Sequence, residues 1–252
     1  MKKTTFYLIA LLALMMTSMG AMAQGGLTPL AGSTHTYTIT PESGSNTLAW
    51  TVSPATGFTI NSGAATASVN ITWTVAGTYT LQFTETNGTS CSTVKTATVV
   101  VAANTFDVFT ASPTATCNAA DGQINYSGSS ATTSITYTVN MTTGNALWSP
   151  NWEFTFTLTP SVGTSLASVA ASAGTLSGTG PYTVTAIPSA SGAKTMTITM
   201  NVTGNIYVQH TVGLAITSAK ELTYHTPDKD TNDWTGTQTI NPVPNTSTIS
   251  TD

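Results

Sequence analysis

From Ile71 to Val101 the chain alternates between apolar and hydroxyl-bearing side chains, and that two-residue period admits one kind of element. Tyr79, Leu81 and Phe83 fall on one face, while Thr80, Gln82 and Thr84 fall on the other. Successive side chains of a strand point to opposite faces of a sheet, whereas a helix repeats every 3.6 residues. Asn87-Gly88 interrupts the run with residues suited to a tight turn, and Thr93 to Val101 supplies a second segment able to pair back antiparallel. The pattern recurs along the chain. Leu48, Trp50 and Val52 share a parity, as do Val69, Ile71 and Trp73, then Ile135, Tyr137 and Val139, then Trp152, Phe154, Phe156 and Leu158. Met196, Ile198 and Met200 continue it, with Gly, Pro, Asn and Ser between the runs. Ser165 to Ala173 is the one stretch compatible with a helical period, and it reads as a strand or loop. The spacing predicts an all-β protein of two sandwiches.

Composition supports the same class. Only 6% of the residues are charged and none is Arg, while Thr makes up roughly a fifth of the chain, well above ordinary usage. Thr is β-branched, which favours strands, and its hydroxyl keeps an outer face wet without net charge.

Residues 1–23 read as a cleaved signal peptide: Lys2-Lys3, an apolar run from Phe6 to Met16, and Ala21-Met22-Ala23 as a small-residue cleavage site. The run is too short to span a bilayer, and nothing after it is long enough, so no membrane span is expected in the mature chain. Without Lys2 and Lys3 the formal charge falls from −4 to −6. Scattered Lys and no Arg leave no footprint for a phosphate backbone, which argues against a nucleic-acid partner. The expected location is secreted or cell surface, with the periplasm as the alternative.

Residues 24–102 form the first expected sandwich. Ala49-Trp50-Thr51-Val52, then Trp73-Thr-Val-Ala-Gly77-Thr-Tyr79, then Cys91 and the closing Val99-Val-Val101 resemble the polycystic-kidney-disease-type (PKD-like) immunoglobulin fold. The variants in surface and secreted proteins of gliding Gram-negative bacteria are the most similar. The resemblance implies that Tyr79 is buried at the corner before the penultimate strand, and that the module serves recognition or spacing and carries no activity. The Asp-rich turn of other members is replaced by Glu85-Thr-Asn87-Gly88. Residues 103–225 form a second Ig-like sandwich, opened by a short strand through Phe106-Asp-Val108. Cys117-Asn-Ala-Ala-Asp121-Gly122-Gln-Ile124 is similar to the start of repeat units in large adhesins of the same bacteria. Residues 226–252 read as a polar loop and C-terminal tail, with one edge strand from Thr235 to Ile240.

Cys91 and Cys117 are the only cysteines. An even count in an oxidising compartment makes one disulfide between them the default, with two separate buried thiols as the alternative.

Candidate chemistry is sparse. Asp228, Asp230, Asn232 and Asp233 have the alternating oxygen spacing of a calcium loop, but Asp233 and Thr239 stand where an EF-hand needs Gly and Glu. A looser calcium site is the alternative to a solvated acidic turn, and no other cofactor is expected. His35 and His210 share parity with apolar neighbours and read as strand residues. No Gly-x-Ser-x-Gly nucleophile elbow occurs. Trp148 and Trp234 are candidate platforms for a sugar ring, the alternative being that both cover a sandwich end. These features predict a non-enzymatic adhesion or structural accessory protein that meets a protein or glycan at the cell surface. A carbohydrate-binding module and a strand-exchanging assembly subunit, donating the chain after Ile240, are the alternatives.

Overall fold

Alternation becomes two-faced strands throughout the computed structural model, which describes residues 25–111, 113, 115–118, 129–145, 148–189 and 193–244. The signal-peptide segment, the Asp121-Gly122 motif and the chain after Pro244 lie outside the described residues. All regular elements described are strands, and no helix is long and apolar enough to cross a membrane. The chain divides into two compact units. The first takes the described residues up to Thr105 together with Thr143–Ser149 and Tyr224–Thr226, and the second takes the rest.

In the first unit, β1 (Thr34–Thr38), β4 (Ser68–Trp73) and β3 (Phe58–Ser62) form one antiparallel sheet. The other sheet joins β2 (Thr47–Ser53), β5 (Gly77–Thr86) and β6 (Ser92–Val101). In immunoglobulin lettering these are B-E-D and C-F-G, so the connectivity is Ig-like. The lead-in adds a parallel partner along β6: Val100 donates its N–H to Leu27 at 2.9 Å, Ala102 to Pro29 at 2.8 Å, and Ala31 back to Ala102 at 2.8 Å.

The alternation places Val69, Ile71 and Trp73 opposite Trp50, Leu81, Phe83 and Val99, all buried. Both indoles in this core find acceptors, Trp50 at the Thr66 carbonyl (2.8 Å) and Trp73 at the Tyr37 hydroxyl (2.9 Å). Tyr79 is buried, and its hydroxyl donates to the Val75 carbonyl at 2.9 Å. That is the corner position the resemblance implied, where a Tyr at the start of strand F ties back to the chain just upstream. Farther back along β6, away from the lead-in, Lys95 pairs in register with the buried Phe83 and is exposed. A charged side chain at a sheet edge discourages pairing with another strand.

In the second unit one sheet runs β11 (Ser165–Ala171), β14 (Ala193–Asn205), β9 (Ser130–Thr142), β7 (Asp107–Thr110). These occupy the D-E-B-A positions, and the Ser165 stretch is a strand. The second sheet runs β12 (Thr175–Ser177), β13 (Tyr182–Ile187), β10 (Trp152–Pro160), β15 (His210–Glu221), β16 (Thr235–Asn241), β8 (Thr116–Cys117). Here β10, β15 and β16 stand at C, F and G, and β12–β13 extends the sheet beyond C. Trp152, Phe154, Phe156 and Tyr182 stack in sequence with centroids 5.3–5.6 Å apart. Tyr137 crosses to the opposite sheet, donating to the Val212 carbonyl and accepting from Gln238 N–H at 3.3 Å. Burial pushes its phenol up to about 12.

Two expectations, the disulfide and Trp148, are revised. The edge strand expected from Thr235 to Ile240 is present as β16, which pairs with β15 over six residues, and the described chain from Pro227 belongs to the second unit. Asn241 accepts from Asn118 N–H at 2.8 Å, and Val243 donates to Ile206 at 2.9 Å. The segment just after Ile240 is thus bonded within its own chain. The Cys91–Cys117 bridge is not formed: both thiols are free, and both are exposed. Cys91 precedes the ten-residue β6, which carries the chain about 33 Å before it leaves the first unit. Trp148, expected as a sugar platform, is only 7% exposed.

Candidate functional site

The connection from β15 to β16, the F–G loop of the second unit, gathers most of the polar residues singled out in the sequence. It begins at Glu221, fully buried, whose carboxylate accepts Thr223 N–H at 2.7 Å. After Tyr224–Thr226 the chain returns to the second unit through a bridge between Pro227 and Lys220.

Asp228 then anchors the loop. Its N–H donates to the Ala219 carbonyl at 3.0 Å, which ties the loop to β15. One carboxylate oxygen accepts Asp230 N–H at 2.9 Å, closing a local turn, and the other accepts Val108 N–H at 2.5 Å, reaching β7. Burial pushes this carboxyl up to about 6, against the pull of those two N–H donors. Lys229 repeats the attachment: its N–H donates to Phe106 at 2.9 Å and its ammonium bonds Asp107 Oδ2. That bond is the main reason the Lys229 ammonium is held above its ordinary range. Asp233 closes the seam, its carbonyl accepting both the N–H and the hydroxyl of Thr110 at 3.0 and 2.9 Å. Trp234 follows, its carbonyl accepting Ile216 N–H at 2.8 Å.

The expected calcium quartet is rearranged. Asp107, Asp230 and Asp233 form the carboxylate cluster, with ligand atoms within 4.8 Å of one another. Asp228 spends both oxygens on backbone N–H groups, and Asn232 donates its N–H to Asp230 at 3.2 Å. The Lys229 ammonium supplies positive charge beside the cluster, touching Asp107 and standing 3.7 Å from Asp230. One oxygen each of Asp107 and Asp233 is buried without a hydrogen-bond partner, and burial followed by the charge of Asp107 raises the Asp233 carboxyl. The donor set thus suits a hard cation in kind, but the lysine stands in competition with one.

Beside this loop lies a groove of about 500 Å³ whose lining includes Trp234, Asp228, Lys229, Asp230 and Asn232 of the loop. Thr217 and Ser218 of β15 line it as well. The register with β10 shifts here, Thr155 pairing with Ser218 and Phe156 with Ile216. Thr217 is the extra residue of a bulge, so Thr217 and Ser218 are both exposed while Ile216 and Ala219 are both buried. Bulges often re-aim side chains beside functional sites. The sequence signal was available: Ile216 and Ala219 are three residues apart where a regular strand would repeat at two.

Asp107 carried no such signal, since it alternates with Phe106 and Val108 in a short run and stands 122 residues from Lys229. The two strand histidines fall where parity put them, His35 on β1 and His210 on β15, both buried.

Replacing Asp228 by Ala removes the acceptor for two backbone N–H groups. The expected cost is about 1–3 kcal/mol for each donor left buried without a partner. Amide exchange at Val108 and Asp230 should accelerate while exchange in β5 stays unchanged.

No family model and no curated protein matches the chain. Similar solved structures include the fibronectin(III)-like modules of Clostridium thermocellum CbhA, 12% identical, covering 91% of this chain and 96% of that one at a TM-score of 0.30. Domains 4 and 5 of the S-layer protein SbsC are 15% identical over 78% of this chain and 70% of that one, with a TM-score of 0.29. The Yersinia pseudotuberculosis adhesin InvE is 17% identical over 86% and 56%, with a TM-score of 0.28. Superpositions this loose carry no weight for function.

Proposed function

We propose that the chain is a non-enzymatic recognition protein of the cell surface or secreted space, built from two Ig-like, PKD-like sandwiches and used for adhesion or as a structural accessory. The carrying observation is the F–G loop, stitched to β7 through Asp228, Lys229 and Asp233 and to β15 through Asp228 and Trp234. A loop tied down on both sides presents its side chains in a fixed arrangement. Rigid presentation on a sandwich scaffold lowers the ordering cost of binding, which is how such folds recognise partners. Hydroxyl-coated outer faces with few charges suit contact with protein or glycan rather than with nucleic acid.

Protease treatment of intact host cells tests this. The expected result is digestion of the protein while a cytoplasmic marker survives. Full protection together with recovery in the cytoplasmic fraction would overturn the proposal.

A further inference from the structure

We propose that the groove between the F–G loop and the β15 bulge binds a neutral, hydroxyl-rich saccharide, with a sugar ring lying against Trp234. This rests on the recognition reading above and names the ligand class for its site.

Three observations converge. First, Trp234 is half-buried and lines the groove, its backbone fixed by Ile216 N–H and its position set by the tethered Asp228–Asp233 turn. An indole face complements the apolar C–H face of a pyranose, and a ring held by the fold loses little freedom on binding. Second, polar groups line the same groove: the Asp230 carboxylate and the Asn232 amide on the loop, and the Ser218 and Thr217 hydroxyls on the bulge, the latter already donating to the Thr155 carbonyl at 3.2 Å. Together they offer acceptors and donors for ring hydroxyls, which both give and take hydrogen bonds. Asp230 is oriented beforehand, because its Oδ1 already accepts Asn232 N–H at 3.2 Å. Third, the volume of about 500 Å³ falls within the range usual for small-ligand sites.

Charge then selects within the class. The groove's lining carries the carboxylates of Asp228 and Asp230 against the single ammonium of Lys229, which is engaged by Asp107. Uronates, sulfated sugars and phosphates would meet net negative charge, so the groove favours neutral rings. Sequence placed a sugar platform at Trp148 and Trp234 alike; burial withdraws the first and the groove retains the second.

The test is a glycan array carrying neutral and anionic glycans, probed with the intact chain and with Trp234→Ala and Asn232→Ala. Neutral glycans should bind, with affinity falling about tenfold or more in Trp234→Ala and several-fold in Asn232→Ala. Asn232 is exposed, so its variant should melt with the parent and separates loss of contact from loss of fold. No neutral ligand on the array, a preference for anionic glycans, or neutral binding unchanged in Trp234→Ala would each overturn the inference. Those failures leave protease accessibility on intact cells unaffected, so they are distinguishable from failure of the recognition reading.

Discussion

Lowering the pH from 7 to 4 should weaken the first unit by on the order of 3 kcal/mol through one residue, His35. Its imidazole is buried on β1, stacked on Tyr224 at 4.3 Å and bonded to the Ser33 hydroxyl at 3.0 Å. Burial holds its pKa down at about 4, against 6.5 in the unfolded chain. Between those values the unfolded chain binds a proton that the folded one refuses. Stability is therefore fully present above pH 6.5 and is lost as pH falls towards 4. Glu85 acts in the same direction, since Asn46 and the N–H groups of Glu42 and Ser43 favour its charged form, though it is exposed and contributes less. Asp228 in the second unit acts oppositely. Its carboxyl is raised to about 6, so its contribution is present below 3.8 and lost as pH rises through 6. Residue-resolved amide exchange should show β1, β4 and β5 losing protection in acid while β15 and β16 do not. His35→Phe should flatten the response of the first unit. An unchanged slope in that variant would show that the acid sensitivity lies elsewhere.

Gly57→Ala should cost the first unit about 2–6 kcal/mol, from two additive sources. Gly57 has a φ of +88°, a conformation that an L side chain adopts at a cost of about 1–3 kcal/mol. A Cβ there would also stand 2.1 Å from the Tyr79 hydroxyl, and relieving that overlap by moving ring or backbone costs about 1–3 kcal/mol more. The ring cannot retreat freely, because its hydroxyl is bonded to Val75 and its face packs on Trp73 at 4.9 Å. Tyr79→Phe removes the oxygen that the new Cβ would strike. The double variant should therefore recover part of the loss, and chemical denaturation of the four proteins measures the coupling.

How far the sequence foretells this molecule depends on how local the cause is. The apolar parity of Trp50, Trp73, Tyr79, Phe154 and Ile198 is a local cause, and each lies buried in the strand expected of it. The strand from Thr235 to Ile240 was legible but its partner was not, because β16 carries Ile240 as its main inward apolar side chain, with Gln238 buried beside it. Its place is fixed by hydrogen bonds to β15, which leave no mark on composition. Asp107 looked like an ordinary acidic residue and Asp228 like a calcium ligand, and only folding brings β7 to the loop that uses them. Trp148 stands just before Pro150 and outside the alternation of the strand that Trp152 opens, yet Thr143–Ser149 belongs to the first unit and the ring is covered.

The parallel seam between Leu27–Ala31 and Val100–Ala102 sets how the first unit meets tension. The two segments lie side by side and run in the same direction, so a pull that draws Leu27 backwards and Ala102 forwards slides one along the other. The three bonds across the seam then share the load and must give way together, rather than opening one by one like a zip. Rupture under load follows the unfolding rate and not the equilibrium stability. A domain anchored at one end and holding its ligand at the other would be strained in that direction.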